Sequence, residues 1–310
     1  MNPLSLKQGF DVLREVDLGA IQRAAEEGFT MLLVGEPDLT QRLASELEVV
    51  PGGGFVVQAK PPLAVGTDIA QPAAALLVTG DGLVSADLAK ARDQLEDAGV
   101  PVLEVRLGAP AGPALDFESA VAPRLIALGA SDPSFGLTFA RHFPAARDAY
   151  VRDLVEDVSR VNATYAFSTG LGQLVPAIGI PLALADILVL TKNQLIMAYK
   201  IALAAGKPAT GRLLLAQVLA VIGSGLLFRQ IARELVGLAP GIGIVPKTAI
   251  AYAGTRIVGQ AVRTWALEGR ELEASELRTL YGEALDAGTR VADEIRMGGE
   301  RLRGRLSPDR

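Results

Sequence analysis

A glycine closing a short apolar run, with a helix-forming stretch behind it, is the arrangement from which phosphate-binding loops are made. Thr30–Val34 (TMLLV) is such a run, and Gly35, Glu36, Pro37, Asp38, Leu39, Thr40, Gln41 and Arg42 follow it. A triphosphate site needs GxxxxGK[ST], in which glycines let backbone N–H groups wrap phosphate, Lys meets the β/γ-phosphates and Ser/Thr holds Mg²⁺. Here the second glycine and the lysine are missing, Glu36 and Asp38 repel phosphate, and Pro37 removes a donor. The stretch from Gly35 through Thr40 is expected to be a degenerate loop that holds no cofactor. Pro51–Gly54 (PGGG) has neither a strong strand before it nor a Lys-Ser pair, which predicts a plain loop. Gly80-Asp81-Gly82 follows a better strand, so Asp81 sits at a strand's C-terminal end, where α/β sites lie. A turn residue is the commoner role there.

Nucleophiles and metal ligands are scarce. The chain has no cysteine and one histidine, His142, in Arg141-His142-Phe143-Pro144. One imidazole cannot make a His-rich zinc site, and no thiol is there to pair with it. His142 is expected at a surface or boundary, and neither a catalytic residue nor a metal site is expected. The remaining polar pattern lies in the second half. Asp186, Asn193 and Lys200 recur at spacing seven and share one helical face, as do Arg256, Arg263 and Arg270. Ionisable groups facing lipid tails are costly, so Asp186 and Lys247 should face protein or water. A structural ion pair between Asp186 and Lys247 is expected; a transport path along Asp186, Asn193 and Lys200 is the alternative.

The elements that must position these residues fall into two kinds. Residues 10–27 have helical spacing, Thr30–Val34 has the character of a strand, and a helix is expected over 39–47. Strands are expected over 55–58, 74–79 and 102–105, and helices over 86–98 and 117–128. Strands alternating with helices indicate βαβ units and a mostly parallel sheet. From Phe143 onward the period is helical, with helices expected over 145–169, 182–205, 213–238 and 247–267. A mixed-charge amphipathic helix follows over 275–295, then a frayed Arg-rich tail over 296–310. Gly206-Lys207-Pro208 reads as a helix stop. Pro176-Ala-Ile-Gly-Ile180 recurs as Pro240-Gly-Ile-Gly-Ile244, which predicts two tight turns between apolar helices. The domains are therefore expected to be 1–135 (α/β), 136–270 (hydrophobic, helical) and 271–310 (amphipathic helix and tail).

Charge separates the halves. Residues 1–150 hold 11 Lys+Arg against 20 Asp+Glu, a net of −9, and residues 151–310 hold 19 against 15, a net of +4. Between Arg160 and Arg263 there are ten basic residues and two acids, Asp186 and Glu234. Apolar helices with mostly positive charges suit an anionic lipid surface, where each Lys or Arg is worth about 1 kcal/mol. A span needs about 20 apolar residues. The uncharged run 161–185 is long enough but carries polar residues and prolines, and the run 213–228 is 16 residues long. Transmembrane or partly inserted helices are thus expected. The N-terminus lacks an apolar signal region, so the first half is expected in the cytoplasm.

The stretch 143–265 resembles the YcjF-like family of membrane-associated bacterial domains found C-terminal to Era-like GTPase domains. The resemblance rests on Val161-Asn162-Ala163, Ile180–Asp186 (IPLALAD), Leu190–Met197 (LTKNQLIM), Ala204-Ala205-Gly206 and Pro240-Gly241-Ile242-Gly243. It implies a degenerate Ras/Era-like α/β domain in residues 1–135, followed by an all-α hydrophobic domain on the cytoplasmic side of the inner membrane. The phosphate-loop Lys-Ser, a DxxG element and an NKxD element are all missing from that first part. The expected function is a non-catalytic, membrane-associated scaffold with a degenerate nucleotide-binding domain. Its partners would be anionic membrane lipids and a protein on the acidic domain, without nucleic acid; a homo-oligomer is compatible with the sequence. An unconventional GTP-binding or NTPase-type regulator, or a small transporter or pore, are the alternatives.

Overall fold

The computed structural model describes residues 16–47, 54–61, 63, 72–80, 85–107, 121–128, 135–172, 179–207, 211–222 and 244–306. Its helices are α1 (Leu18–Glu26), α2 (Pro37–Glu46), α3 (Ala86–Asp97), α4 (Ala122–Leu128), α5 (Phe135–His142), α6 (Arg147–Gly172), α7 (Gly179–Ala204), α8 (Gly211–Ile222), α9 (Ile244–Arg263) and α10 (Ala274–Leu306). Its strands are β1 (Phe29–Gly35), β2 (Gly54–Ala59), β3 (Ala74–Thr79) and β4 (Val102–Arg106). The expected residues 10–15, Asp81, the helix start at 117, residues 176–178 and 240–243 of the two PxIGI turns, and residues 223–238 lie outside the described residues. The chain divides into two compact units: one of Leu18–Arg152 with Leu203–Gly206, the other of Met1–Asp17, Asp153–Ala202 and Lys207–Arg310.

The first unit is built on a parallel four-stranded sheet in the order β2-β1-β3-β4. This is the order of the first four strands in a flavodoxin-type doubly wound sheet, whose direction reverses between β1 and β3. The central strands are buried on both faces, which is why they read as continuous apolar runs rather than as alternation. Met31, Leu33 and Val34 of β1 and Ala74–Leu77 of β3 are wholly buried. Leu88, Ala91 and Leu95 of α3 pack on Leu32, Val34, Ala75 and Leu77. Ser85 starts α3 by accepting the Leu88 N–H on its hydroxyl at 3.1 Å, a cap worth about 1 kcal/mol.

The second unit is helical. α6 and α9 approach closely where a Cβ on Gly259 would lie 2.5 Å from Val155 Cγ2, and α9 and α10 where one on Gly288 would lie 2.5 Å from the Ala249 carbonyl oxygen. α7 ends at Gly206, whose φ of 74° lets the Gly206 N–H reach the Leu203 carbonyl and the Lys207 N–H the Ala202 carbonyl. That is a Schellman stop, the physical content of the Gly-Lys-Pro signal. α9 passes into a π-helical turn, Thr264–Glu268, before Gly269, and there Lys207 Nζ sits 5.1 Å from the Trp265 ring centre.

Two expectations are corrected. Among the described residues no helix is long and apolar enough to cross a membrane. α6 carries ion-paired charges through its first half, and α7 carries Lys192 and Lys200. The described part of α8 is 12 residues, about 18 Å against a hydrocarbon core of roughly 30 Å. The described residues of the uncharged run 161–185 fall in α6 and α7, as the expected helices over 145–169 and 182–205 place them. The tail expected to fray over 296–310 is also helical as far as Leu306, the last described residue.

Gly288→Ala should destabilise the protein by about 1–3 kcal/mol, because the added methyl meets backbone rather than a yielding side chain. Gly282→Ala, on the same helix with nothing within 4 Å of the added carbon, should stabilise it by about 0.5–1 kcal/mol. Urea unfolding of both variants checks the pair; equal effects would remove the close approach of α9 and α10.

Candidate functional site

The C-terminal edge of the sheet is where an α/β fold places its ligands. β1 ends at Gly35 and α2 begins at Pro37, so Glu36 is the whole connection. Its carbonyl accepts from the Leu39 and Thr40 N–H groups at 3.0 Å, which makes those amides part of the helix. Gly35 has a packing reason: a Cβ there would lie 2.5 Å from the Val78 carbonyl oxygen across the β1–β3 pair. Leu39 covers the end of β3, its Cδ1 being 3.6 Å from where a Gly80 Cβ would stand. Thr40 is buried, donates to the Pro37 carbonyl at 3.0 Å and meets Gln58 Oε1 at 2.9 Å. Glu36, Pro37 and Asp38 are exposed. Within this tight strand-to-helix turn the Leu39 and Thr40 amides are used by α2, and Leu39 lies against the end of β3. Asp81 lies outside the described residues.

His142 is buried rather than superficial, with Nε2 3.1 Å from the Glu27 carbonyl oxygen. Since a carbonyl only accepts, Nε2 carries the proton. Burial lowers its pKa below the ordinary histidine value, the Glu27 carbonyl opposes this, and the Arg141 charge adds to the lowering. Arg141 and Arg147 serve the same corner. Arg141 donates to the Leu203 carbonyl at 2.8 Å, and Arg147 to the Ala140 and Arg141 carbonyls at 3.2 and 3.3 Å. Cations at a helix C-terminus satisfy its orphan carbonyls. This is structural chemistry.

The helical unit gathers its polar groups in two places. Asn162 and Thr255 are wholly buried. Asn162 Nδ2 donates to Thr255 Oγ1 at 2.9 Å, Gln194 Nε2 donates to the same oxygen at 3.1 Å, and Thr255 donates to the Ala251 carbonyl at 2.8 Å. Asn193 Nδ2 donates to Asn162 Oδ1 at 2.8 Å. Three helices, α6, α7 and α9, are thereby cross-linked. The second place is Glu156, whose carboxylate accepts from Arg160 Nε at 2.7 Å, Tyr252 Oη at 2.6 Å and Arg256 Nη1 at 2.7 Å. Arg160 continues to Glu294 at 3.2 Å. Burial alone would push the Glu156 carboxyl up; the Tyr252 and Arg160 hydrogen bonds and the charge of Arg256 outweigh it and hold the pKa below its usual value. Tyr252 moves upward, through its own burial and the adjoining carboxylate.

The expected polar stripe divides accordingly. Asn193 belongs to the buried network. Lys200, one heptad on, reaches a groove lined by Leu154, Val158, Val161, Ile196 and Met197, with Asn193 at one side. Burial lowers its amine pKa below the ordinary lysine value. Lys247 Nζ lies 3.4 Å from Thr169 Oγ1. The Asp186 side chain lies outside the described residues, so its expected pairing with Lys247 does too. The second stripe is held in ion pairs: Arg256 with Glu156, Arg263 with Glu268, and Arg270 with Glu268 and Glu276. Among the described residues no group of three or more His, Asp or Glu side chains could hold a metal ion.

No protein family, curated protein or solved structure matches this chain. The GTPase likeness expected for the α/β half therefore has no relative behind it. Among the described residues, the polar groups of the Asn162–Thr255 network and the Glu156 cluster are engaged with one another, and Lys200 faces an apolar groove.

Thr255→Val should cost about 1–3 kcal/mol, because the Asn162 and Gln194 amides lose a buried acceptor that the isosteric valine cannot replace. Thr289→Val, exposed and bonded only to the Leu285 carbonyl of its own helix, should stay within about 0.5 kcal/mol of the parent. Urea midpoints of the two variants make the comparison.

Proposed function

We propose that this protein is a non-catalytic, membrane-associated recognition protein. Its helical part lies on an anionic lipid surface, and its acidic α/β part offers a surface to a protein partner. The observation that carries this reading is the exposure of large apolar side chains on three helices of the basic half: Val161 at 57 %, Leu188 at 55 % and Leu213 at 60 %. Interfacial binding combines buried apolar area with attraction of Lys and Arg to anionic headgroups. The region between Arg160 and Arg263 supplies ten basic residues against two acids. A likeness to the YcjF-like membrane-associated domains points the same way. The tight turn at Gly35–Thr40 supports the non-catalytic half of the reading, since its Leu39 and Thr40 amides belong to α2 and Glu36 and Asp38 bring negative charge to it. In this reading the α/β domain precedes the helical one and has kept a doubly wound core without a nucleotide pocket.

The test is sedimentation of the full chain with vesicles. Vesicles of mixed phosphatidylglycerol and phosphatidylcholine should carry the protein down, and vesicles of phosphatidylcholine alone should leave most of it in solution. Raising the salt well above physiological strength should release most of it, as the Debye length shrinks toward about 3 Å. Leu188→Glu with Leu213→Glu should abolish binding while the circular dichroism spectrum is kept. Full-length protein that stays in the supernatant with anionic vesicles would end the membrane reading.

A further inference from the structure

We propose that the groove between α6 and α7 is a binding site for the carboxylate end of an aliphatic acid, with Lys200 as the cation that receives it. The groove is made by one face of each helix. Leu154, Val158 and Val161 recur at i, i+4 and i+7 on α6, and Asn193, Ile196, Met197 and Lys200 at i, i+3, i+4 and i+7 on α7. Such spacings put each set on a single stripe. The floor is thus hydrocarbon and thioether, and Lys200 supplies the one formal charge in the lining.

The lysine is what gives the groove a chemical direction. Arg160, Arg256, Arg263 and Arg270, on or beside α6 and α9, each have a carboxylate within ion-pair distance. Lys200 makes no hydrogen bond or ion pair with the described residues, although it is substantially buried. An ammonium held among apolar side chains without a counter-ion is unfavourable. An anion with an apolar body corrects both faults at once: its charge pairs with the amine and its methylenes cover the groove floor. Each buried methylene strengthens binding about fourfold. Asn193 directs one amide hydrogen at Asn162 and has a second one for an incoming oxygen.

Size sets the class of ligand. The cavity is about 140 Å³, and a water takes about 30 Å³ of liquid volume, so the enclosed part holds a carboxylate and a few methylenes. A longer chain leaves past Val161, which is 57 % exposed. A free medium-chain carboxylate fits this outline; acetate lacks the chain and a fatty alcohol lacks the charge.

Isothermal titration of the full chain with sodium octanoate, sodium acetate and 1-octanol tests the site. Saturable one-to-one binding of octanoate is expected, at least tenfold tighter than octanol and with no saturation by acetate. Lys200→Met keeps the length and apolar stem, and should weaken octanoate at least tenfold while leaving octanol within about twofold. Val161→Glu alters an exposed position, so the fold is retained, and its carboxylate at the groove mouth should also weaken octanoate. Octanoate binding no better than octanol, or unchanged in both variants, would overturn the assignment. So would displacement of octanoate by anionic vesicles, which would give the groove to a membrane lipid.

Discussion

Two side chains without charge, Asn162 and Thr255, hold the helical half in register. Both are completely excluded from solvent, and they come from helices α6 and α9, 93 positions apart in the chain. A buried amide left without partners costs several kcal/mol in an apolar medium. The Asn162–Thr255 bond can form only at one axial and rotational setting of α6 against α9. Gln194 and Asn193 extend the requirement to α7. Dispersion and apolar burial tolerate small slides between helices; a network with fixed donor and acceptor positions does not. The close glycine contacts follow from that setting. Gly259 lets α9 reach Val155 of α6, and Gly288 lets α10 lie against Ala249 of α9. The Glu156 cluster fixes the same helices a turn or two away, with Tyr252 and Arg256 of α9 on a carboxylate of α6.

The sheet unit answers to a different constraint, the burial of β1 and β3 on both faces. Parallel strands in that position need helices on either side, and α2 and α3 are the crossovers that provide them. The price of a short β1–α2 turn is that its amides go into the helix. Gly35 serves the approach to β3, Glu36 serves α2, and Leu39 lies against the end of β3 at Gly80. The same residues that suggest a nucleotide loop in the sequence are thus accounted for by the packing of the doubly wound core.

How much of this is legible in the sequence depends on how local each signal is. β3 falls on the expected 74–79, and β4 extends the expected 102–105 by one residue. Continuous apolar runs bounded by turn residues have few competing readings. The end of α7 is visible in Gly206-Lys207-Pro208, because a helix stop is written within a few residues. The long-range contacts are not. Asn162 appears as one polar residue in an uncharged run, and nothing near it indicates Thr255. Glu156, Tyr252 and Arg256 have the same difficulty, since about 100 positions separate the carboxylate from its partners. The Arg256, Arg263 and Arg270 stripe is visible as a pattern, but its acids lie on other turns and helices. His142 looks superficial in the sequence because its partner is a backbone carbonyl, that of Glu27, which no side-chain pattern announces. Lys200 and Asn193 share one face in the sequence, but only the neighbouring helix shows that one is an open cation and the other a cross-link.

The Asn162–Thr255 network keeps α6, α7 and α9 together as a closed set, so that any lipid contact is made from outside it. Hydrogen exchange read by mass spectrometry, in solution and on anionic vesicles, tests this most directly. Amides over 159–166 and 249–258 should be the slowest to exchange in the helical half, and should stay so when the protein is vesicle-bound. Rapid exchange there in solution, or loss of protection on binding vesicles, would mean that the helices separate, and would contradict a closed set.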